Sequence, residues 1–238
     1  MTRNIYVIKC HSISPAVADE INEACECLGP QNVFVTYDDT HTQYPDNLPD
    51  ATVLRAGQGK FTQGLSVMLL NEQEAMKVNK HHTDHKLTYE TAWVALKRML
   101  DFEVDYVWTW EQDVVCCGDW KKTLAKADGS TADLLVDSVE GLNWPEWAYD
   151  RKYGDWGEDT VVSNAFCACV RLSKRMLDLL DTRLGVVSGF VELYLTTLAR
   201  KEGLKVENLP KDMLGQFSWV SAQLPEEEDN KLYHSIKL

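Results

Sequence analysis

Val104 to Val115 reads VDYVWTWEQDVV. Its first half, Tyr106-Val107-Trp108-Thr109-Trp110, is β-branched and aromatic with almost no polar break. That composition suits a strand buried on both faces of a parallel sheet. The acidic cluster Glu111-Gln112-Asp113 follows directly. At the carboxyl end of a central strand, carboxylates stand where open α/β sheets bind ligands. Acids at i and i+2 also suit a hard divalent cation shared with a substrate's phosphates. A solvated strand end is the competing reading, so the surroundings of the cluster must decide.

Working towards the N-terminus, Leu87 to Leu100 carries one apolar stripe, Tyr89, Ala92, Trp93, Leu96, Met99 and Leu100, which predicts a helix over 87–100. Lys86 precedes it and can reach an anionic ligand or stay solvated. Before it, Asn79–Lys86 holds His81, His82 and His85, read as a polar surface loop rather than a metal site. Glu72–Val78 reads as a short helix, Leu65–Leu70 as a strand, and 40–65 as a long connection of the kind that tends to carry function. At the start of the chain, Ile5–Lys9 reads as a strand and Ser14-Pro15 as the N-cap and first residue of a helix over 15–28. Val33–Tyr37 is the next strand. Strand, helix, strand in this span is a βαβ unit, so a parallel sheet is expected. The second strand ends in Asp38-Asp39, where nucleotide folds place a base- or ribose-binding carboxylate. Asp38 or Asp39 can fill this role, Asp38 being the named candidate, with a turn-starting aspartate as the plain alternative.

Towards the C-terminus, Gly118-Asp119 starts a helix and Ala132–Val139 reads as a strand. The loop LNWPEWAYDRKYGDWGED follows, with Trp144, Trp147, Tyr149, Tyr153 and Trp156 among charges. These rings suit either a small satellite core or the faces and rims that a sugar ring needs. Val161–Leu172 reads as a long strand, Ser173 as a helix cap, and Ser188-Gly189 as the start of a last long helix over 188–201. Glu192 lies in that helix's first turn, where the dipole alone accounts for a carboxylate.

Length and charge set outer bounds. The 238 residues are 45% hydrophobic, enough for one large α/β domain or two small ones, and carry a formal net charge of −13. That balance argues against a nucleic-acid surface, which needs a basic stripe. It still permits an anionic small substrate, since one cation or lysine reverses a local field. No apolar run approaches the roughly 20 residues of a membrane helix. The first residues lack the apolar core of a signal peptide, so a cytoplasmic protein is expected. Seven cysteines, an odd number, point to reduced thiols.

Several stretches together resemble a family. KLTYETAWVAL, DYVWTWEQDV, NAFCACVRLSKRML, GFVELYLTTLARKEGLKV and YHSIK, in that order, resemble nucleotide-sugar-dependent glycosyltransferases of the GT-A fold. Within them, the likeness is nearest to a group of proteins from algae and large viruses. The matching parts cover about the last two-thirds of the chain. The resemblance implies one GT-A-like domain over 1–238, an α/β fold with a mixed, mainly parallel sheet, whose 1–115 half binds nucleotide and whose 116–238 half binds acceptor. It implies Mn²⁺ or Mg²⁺ held by Asp113, with Glu111 near the metal or the ribose and the late His234 completing the coordination. It matches Glu192 to the general base of inverting members and Lys86 to a lysine facing the donor diphosphate. Gln112 departs from the pattern, since members often carry a third acid there.

The leading expectation is a metal-dependent glycosyltransferase that moves a sugar from a nucleotide-diphosphate sugar to a carbohydrate or other hydroxyl acceptor. A carbohydrate-binding or scaffold protein on the same fold, without turnover, explains the aromatics equally well. A nucleotidyltransferase would be expected to carry a glycine-rich basic loop after the first strand, and KCHSISP is not one.

Overall fold

The computed structural model describes residues 3–48, 50–61, 64–79, 89–139, 143, 152–153, 156 and 160–238. The predicted central strand is there as β5 (Tyr106–Glu111). On one side it pairs in parallel with β1 (Asn4–Cys10), Lys9 standing opposite Glu111. On the other it pairs antiparallel with β9 (Phe166–Ser173). Beyond β1 the sheet continues, all parallel, through β2 (Val33–Asp38) and β4 (Ser66–Leu70) to β3 (Thr52–Arg55). Beyond β9 it continues through β7 (Leu134–Asp137), antiparallel to β9, to β11 (Val206–Asn208), parallel to β7. The result is one eight-stranded mixed, largely parallel sheet.

Alternation along β5 assigns its side chains to two cores, as a strand buried on both faces requires. Val107 joins the core built with α3 (Tyr89–Met99), α5 (Lys174–Arg183) and α6 (Val191–Lys201). Trp108 and Trp110 join the opposite core, with α1 (Pro15–Leu28) and α4 (Trp120–Ala125). There the Trp110 and Trp120 rings stack at 4.4 Å. The sheet is therefore sandwiched between two helical layers. Local signals hold at the caps: Ser14 accepts from the Val17 N–H, Asp119 from Lys122 and Ser173 from Met176. A further helix, α2 (Glu72–Val78), starts in a capping box between Asn71 and Glu74.

Some boundaries differ from the sequence reading. The connection over 40–65 contains β3, whose residues are half-exposed or exposed and so give no apolar run. The strand expected from Val161 begins at Phe166. Ser188-Gly189 does not open the last helix; it forms a two-residue strand, β10, against β8 (Lys152–Tyr153), and the helix starts at Val191 with Phe190 as N-cap. Three short strands form a second sheet, in the order β12 (Leu214–Phe217), β13 (Lys231–His234), β6 (Val115–Cys117). No described helix is long and apolar enough to cross a membrane.

Candidate metal centre and cleft

The chain runs outward from β1 to β2 on one side and reaches β5 on the other, so the sheet's switch point lies between β1 and β5. Ligands of open α/β sheets bind outside the carboxyl ends at such a point. Here those ends are Lys9–His11 and Glu111–Asp113. A cleft of about 640 Å³ opens above them, lined among others by Lys9, His11, Asp38, His41, Glu111, Asp113 and Lys237.

The second sheet delivers a third potential ligand, His234, to the two carboxylates. Antiparallel pairing of β13 with β6 sets Tyr233 opposite Val115, and the Ile236 N–H donates to the Asp113 carbonyl at 3.0 Å. This carries His234 to the end of β5. Close packing supports the placement: Tyr233 donates to Asp229 at 2.8 Å, and a Cβ at Gly215 of β12 would collide with the Tyr233 ring. His234 Nε2 lies 3.3 Å from Glu111 Oε2 and 3.4 Å from Asp113 Oδ1. One ligand atom from each of the three residues lies within 4.8 Å of the others.

This donor set fits a divalent cation. A carbonyl only accepts, so the 2.7 Å contact between His234 Nδ1 and the Ser218 carbonyl fixes the proton on Nδ1. Nε2 then faces the carboxylates, the arrangement by which a ligating histidine is oriented. The Asp113 carboxylate is oriented in turn by the Ser235 hydroxyl, which donates at 2.6 Å. Burial alone would lower the His234 pKa; hydrogen bonds to Asp113 and Glu111 outweigh it and raise it to about 10. Asp113 is held below the usual carboxylate range, because His234 and Ser235 overcome the effect of its burial.

Gln112, which also lines the cleft, is engaged differently. Its Oε1 accepts from the His11 N–H at 2.8 Å and the Ser12 N–H at 3.2 Å, and its Nε2 donates to the Ser12 hydroxyl at 2.9 Å. The middle residue of the acidic cluster is thus a clamp on the loop between β1 and α1. Its amide supplies acceptor and donor at once, which an ionised acid cannot do.

The other candidate residues divide. Asp38 lines the cleft and accepts from the Thr40 N–H at 2.9 Å, so it also starts the turn. Asp39 is spent on Arg55, at 2.6 Å. Glu192 is buried, and its carboxylate accepts from the Cys167 N–H at 3.2 Å. Burial drives its pKa up to about 8, the Cys167 N–H opposing this and the charge of Glu111 adding to it. Lys86 lies outside the described residues, as do Trp144, Trp147 and His81, His82 and His85. Trp156 packs edge-on against Tyr194, at 5.5 Å, beside the α3–α5–α6 core.

Ring packing around His234 went unpredicted. Phe166 and Phe217 meet its imidazole at 5.2 and 5.6 Å, and Trp219 meets Phe166 at 4.7 Å. These rings are scattered over 166–219, and they meet only where β9 approaches the β12–β13 pair.

Neither a protein-family model nor a curated protein sequence matches the chain. Solved structures do. The 4-diphosphocytidyl-2C-methyl-D-erythritolsynthase from Anaerococcus prevotii DSM 20548 aligns with a TM-score of 0.51 at 11% identity, over 87% of this chain and 88% of that one. HddC from Yersinia pseudotuberculosis gives 0.46 at 11%, over 87% and 90%. The inositol-1-phosphate CTP transferase from T. maritima gives 0.47 at 10%, over 87% and 84%. Identities this low speak to the fold, which is a GT-A-like Rossmann fold.

Proposed function

We propose that this protein transfers a glycosyl group from a nucleotide-diphosphate sugar to a hydroxyl of a carbohydrate acceptor. One observation carries the reading: Glu111, Asp113 and His234 converge at the switch point of the sheet, and the two carboxylates line a cleft that also holds Lys9, His11 and Asp38. In this account residues 1–115 bind the nucleotide and 116–238 the acceptor. Glu111, Asp113 and His234 hold Mn²⁺ or Mg²⁺, with the cation chosen by availability more than by this oxygen-rich set. Bound there, the cation neutralises charge building on the departing diphosphate. Lys9 and His11 face the same diphosphate, joined by Lys86, and Asp38 accepts from ribose hydroxyls. Glu192 takes the proton of the acceptor hydroxyl if the anomeric centre inverts.

The fold is equally that of proteins named for nucleotidyl transfer, which makes that reaction the second reading. The loop after β1 disfavours it. A phosphate-cradling loop presents free backbone N–H groups to the ligand, whereas the His11 and Ser12 N–H groups are occupied by Gln112. A carbohydrate-binding protein without turnover would lack metal-dependent nucleotide binding.

The test is a product assay with Mn²⁺. UDP- and GDP-sugars are offered with a panel of saccharides, and CTP and UTP with sugar 1-phosphates. Release of nucleoside diphosphate together with an elongated saccharide supports glycosyl transfer. Pyrophosphate release from a nucleoside triphosphate, or no turnover despite tight nucleotide binding, contradicts it.

A further inference from the structure

Trp219 follows β12 with 55% of its surface exposed, and its neighbour Val220 is 69% exposed. Scattered exposed apolar residues need no explanation, but this tryptophan is tied to the ligand triad twice. Its ring rests on Phe166, which also touches the His234 imidazole. The residue before it, Ser218, supplies the carbonyl that orients His234. An independent feature lies beside it. Asp137 ends β7 and stands opposite Phe166 across the antiparallel pair. Residues directly opposite in such a pair project from the same face, so a carboxylate shares the face of the sheet that bears Phe166. Asp137 is half-buried, and its Oδ2 accepts from the Ser138 hydroxyl at 3.0 Å.

An aromatic ring and a carboxylate, both neighbours of Phe166, match the two sides of a pyranose. The ring's C–H face packs on the indole, and its hydroxyls donate to the carboxylate. Neither Trp219 nor Asp137 lines the cleft that holds Lys9, His11 and Asp38. We infer that Trp219 and Asp137 form the subsite for the acceptor saccharide, separated from the nucleotide cleft by the ligand triad. This rests on the glycosyl-transfer reading and adds to it the residues that choose the acceptor.

Saturation-transfer NMR tests the inference, with maltose, cellobiose, lactose and xylobiose as probes and UDP, GDP and Mn²⁺ present. At least one saccharide should receive saturation from the native protein. Trp219→Ala and Asp137→Asn should each weaken that binding about tenfold, and Trp219→Phe should restore most of it. Calorimetric UDP and GDP affinity, measured on the same variants, should stay within about twofold of native and so certifies their folding. If Trp219→Ala also loses nucleotide through its contact with Phe166, Asp137→Asn and Trp219→Phe decide. No saccharide signal from the native protein, unchanged saccharide affinity in Asp137→Asn, or a Trp219→Ala effect on self-association in place of saccharide binding overturns the subsite. Loss of nucleotide binding by the native protein would instead overturn the glycosyl-transfer reading itself.

Discussion

The two sides of the Glu111–Asp113–His234 cluster are made from different material. On the cleft side the walls are the charged carboxyl ends of parallel strands: Lys9 and His11 at the end of β1, Asp38 closing β2, Glu111 closing β5. On the other side they are rings, Phe166, Phe217 and Trp219, brought together by β9 and the small β12–β13–β6 sheet. The charged side suits a diphosphate with its cation, the ring side an uncharged saccharide. Histidine 234 belongs to both, with Nε2 facing the carboxylates and its ring packed among the phenylalanines. On the proposed reading, donor and acceptor lie on opposite sides of one ligand set.

The comparison breaks most visibly at Asp113. Asp113→Ala removes a proposed direct ligand and should lower Mn²⁺-dependent UDP or GDP affinity at least about 100-fold by calorimetry, more than loss of an outer partner costs. Glu192→Gln should cut steady-state turnover about 10²–10⁴-fold with nucleotide affinity nearly unchanged. The same residue has a stability signature. A glutamate ionises near 4.3 in the unfolded chain and near 8 in the fold, so the folded state holds the extra proton between those values. Stability should therefore fall as pH rises from about 4.3 to 8. Urea unfolding of Glu192→Gln should show that fall reduced.

Metal binding should depend on pH in the opposite direction. With His234 held up to about 10, Mn²⁺ must displace its proton. Mn²⁺ affinity followed by electron paramagnetic resonance should rise by up to about tenfold per pH unit across the neutral range. A flat profile would mean His234 is not a ligand. The smallest effect sharpens the cleft side alone: Gln112→Ala frees the His11–Ser12 loop and should weaken nucleotide about tenfold while leaving Mn²⁺ affinity in place.

How legible each side was follows from how far its residues lie apart in the chain. The cleft side is local: Cys10 and Asp38 end the strands of one βαβ unit, and apolar runs mark β1, β2 and β5 plainly. Those strands, helix α1 and the carboxyl-end position of Glu111 and Asp113 were readable from pattern alone. His234 came only from resemblance, because its contact with Glu111 spans 123 residues and runs through β13, four residues long. The role of Gln112 was hidden for the same reason: its partners, His11 and Ser12, are about a hundred residues away. Trp219 follows Phe217 in a short stretch with no strong periodicity, overshadowed by the five rings of 144–156. Asp137 looked like any strand-ending aspartate until the register put it opposite Phe166. Strand β3 escaped because it alternates too weakly to signal burial.

The claim on which both sides depend is that the cluster couples a cation to a nucleotide diphosphate. Calorimetric titration of UDP and GDP into the native protein, once with Mn²⁺ and once with a chelator, tests it directly. The account predicts binding of at least one of them with Mn²⁺, and its loss both with the chelator and in Asp113→Ala. Equal binding with and without Mn²⁺, or no binding of either nucleotide in its presence, would contradict it.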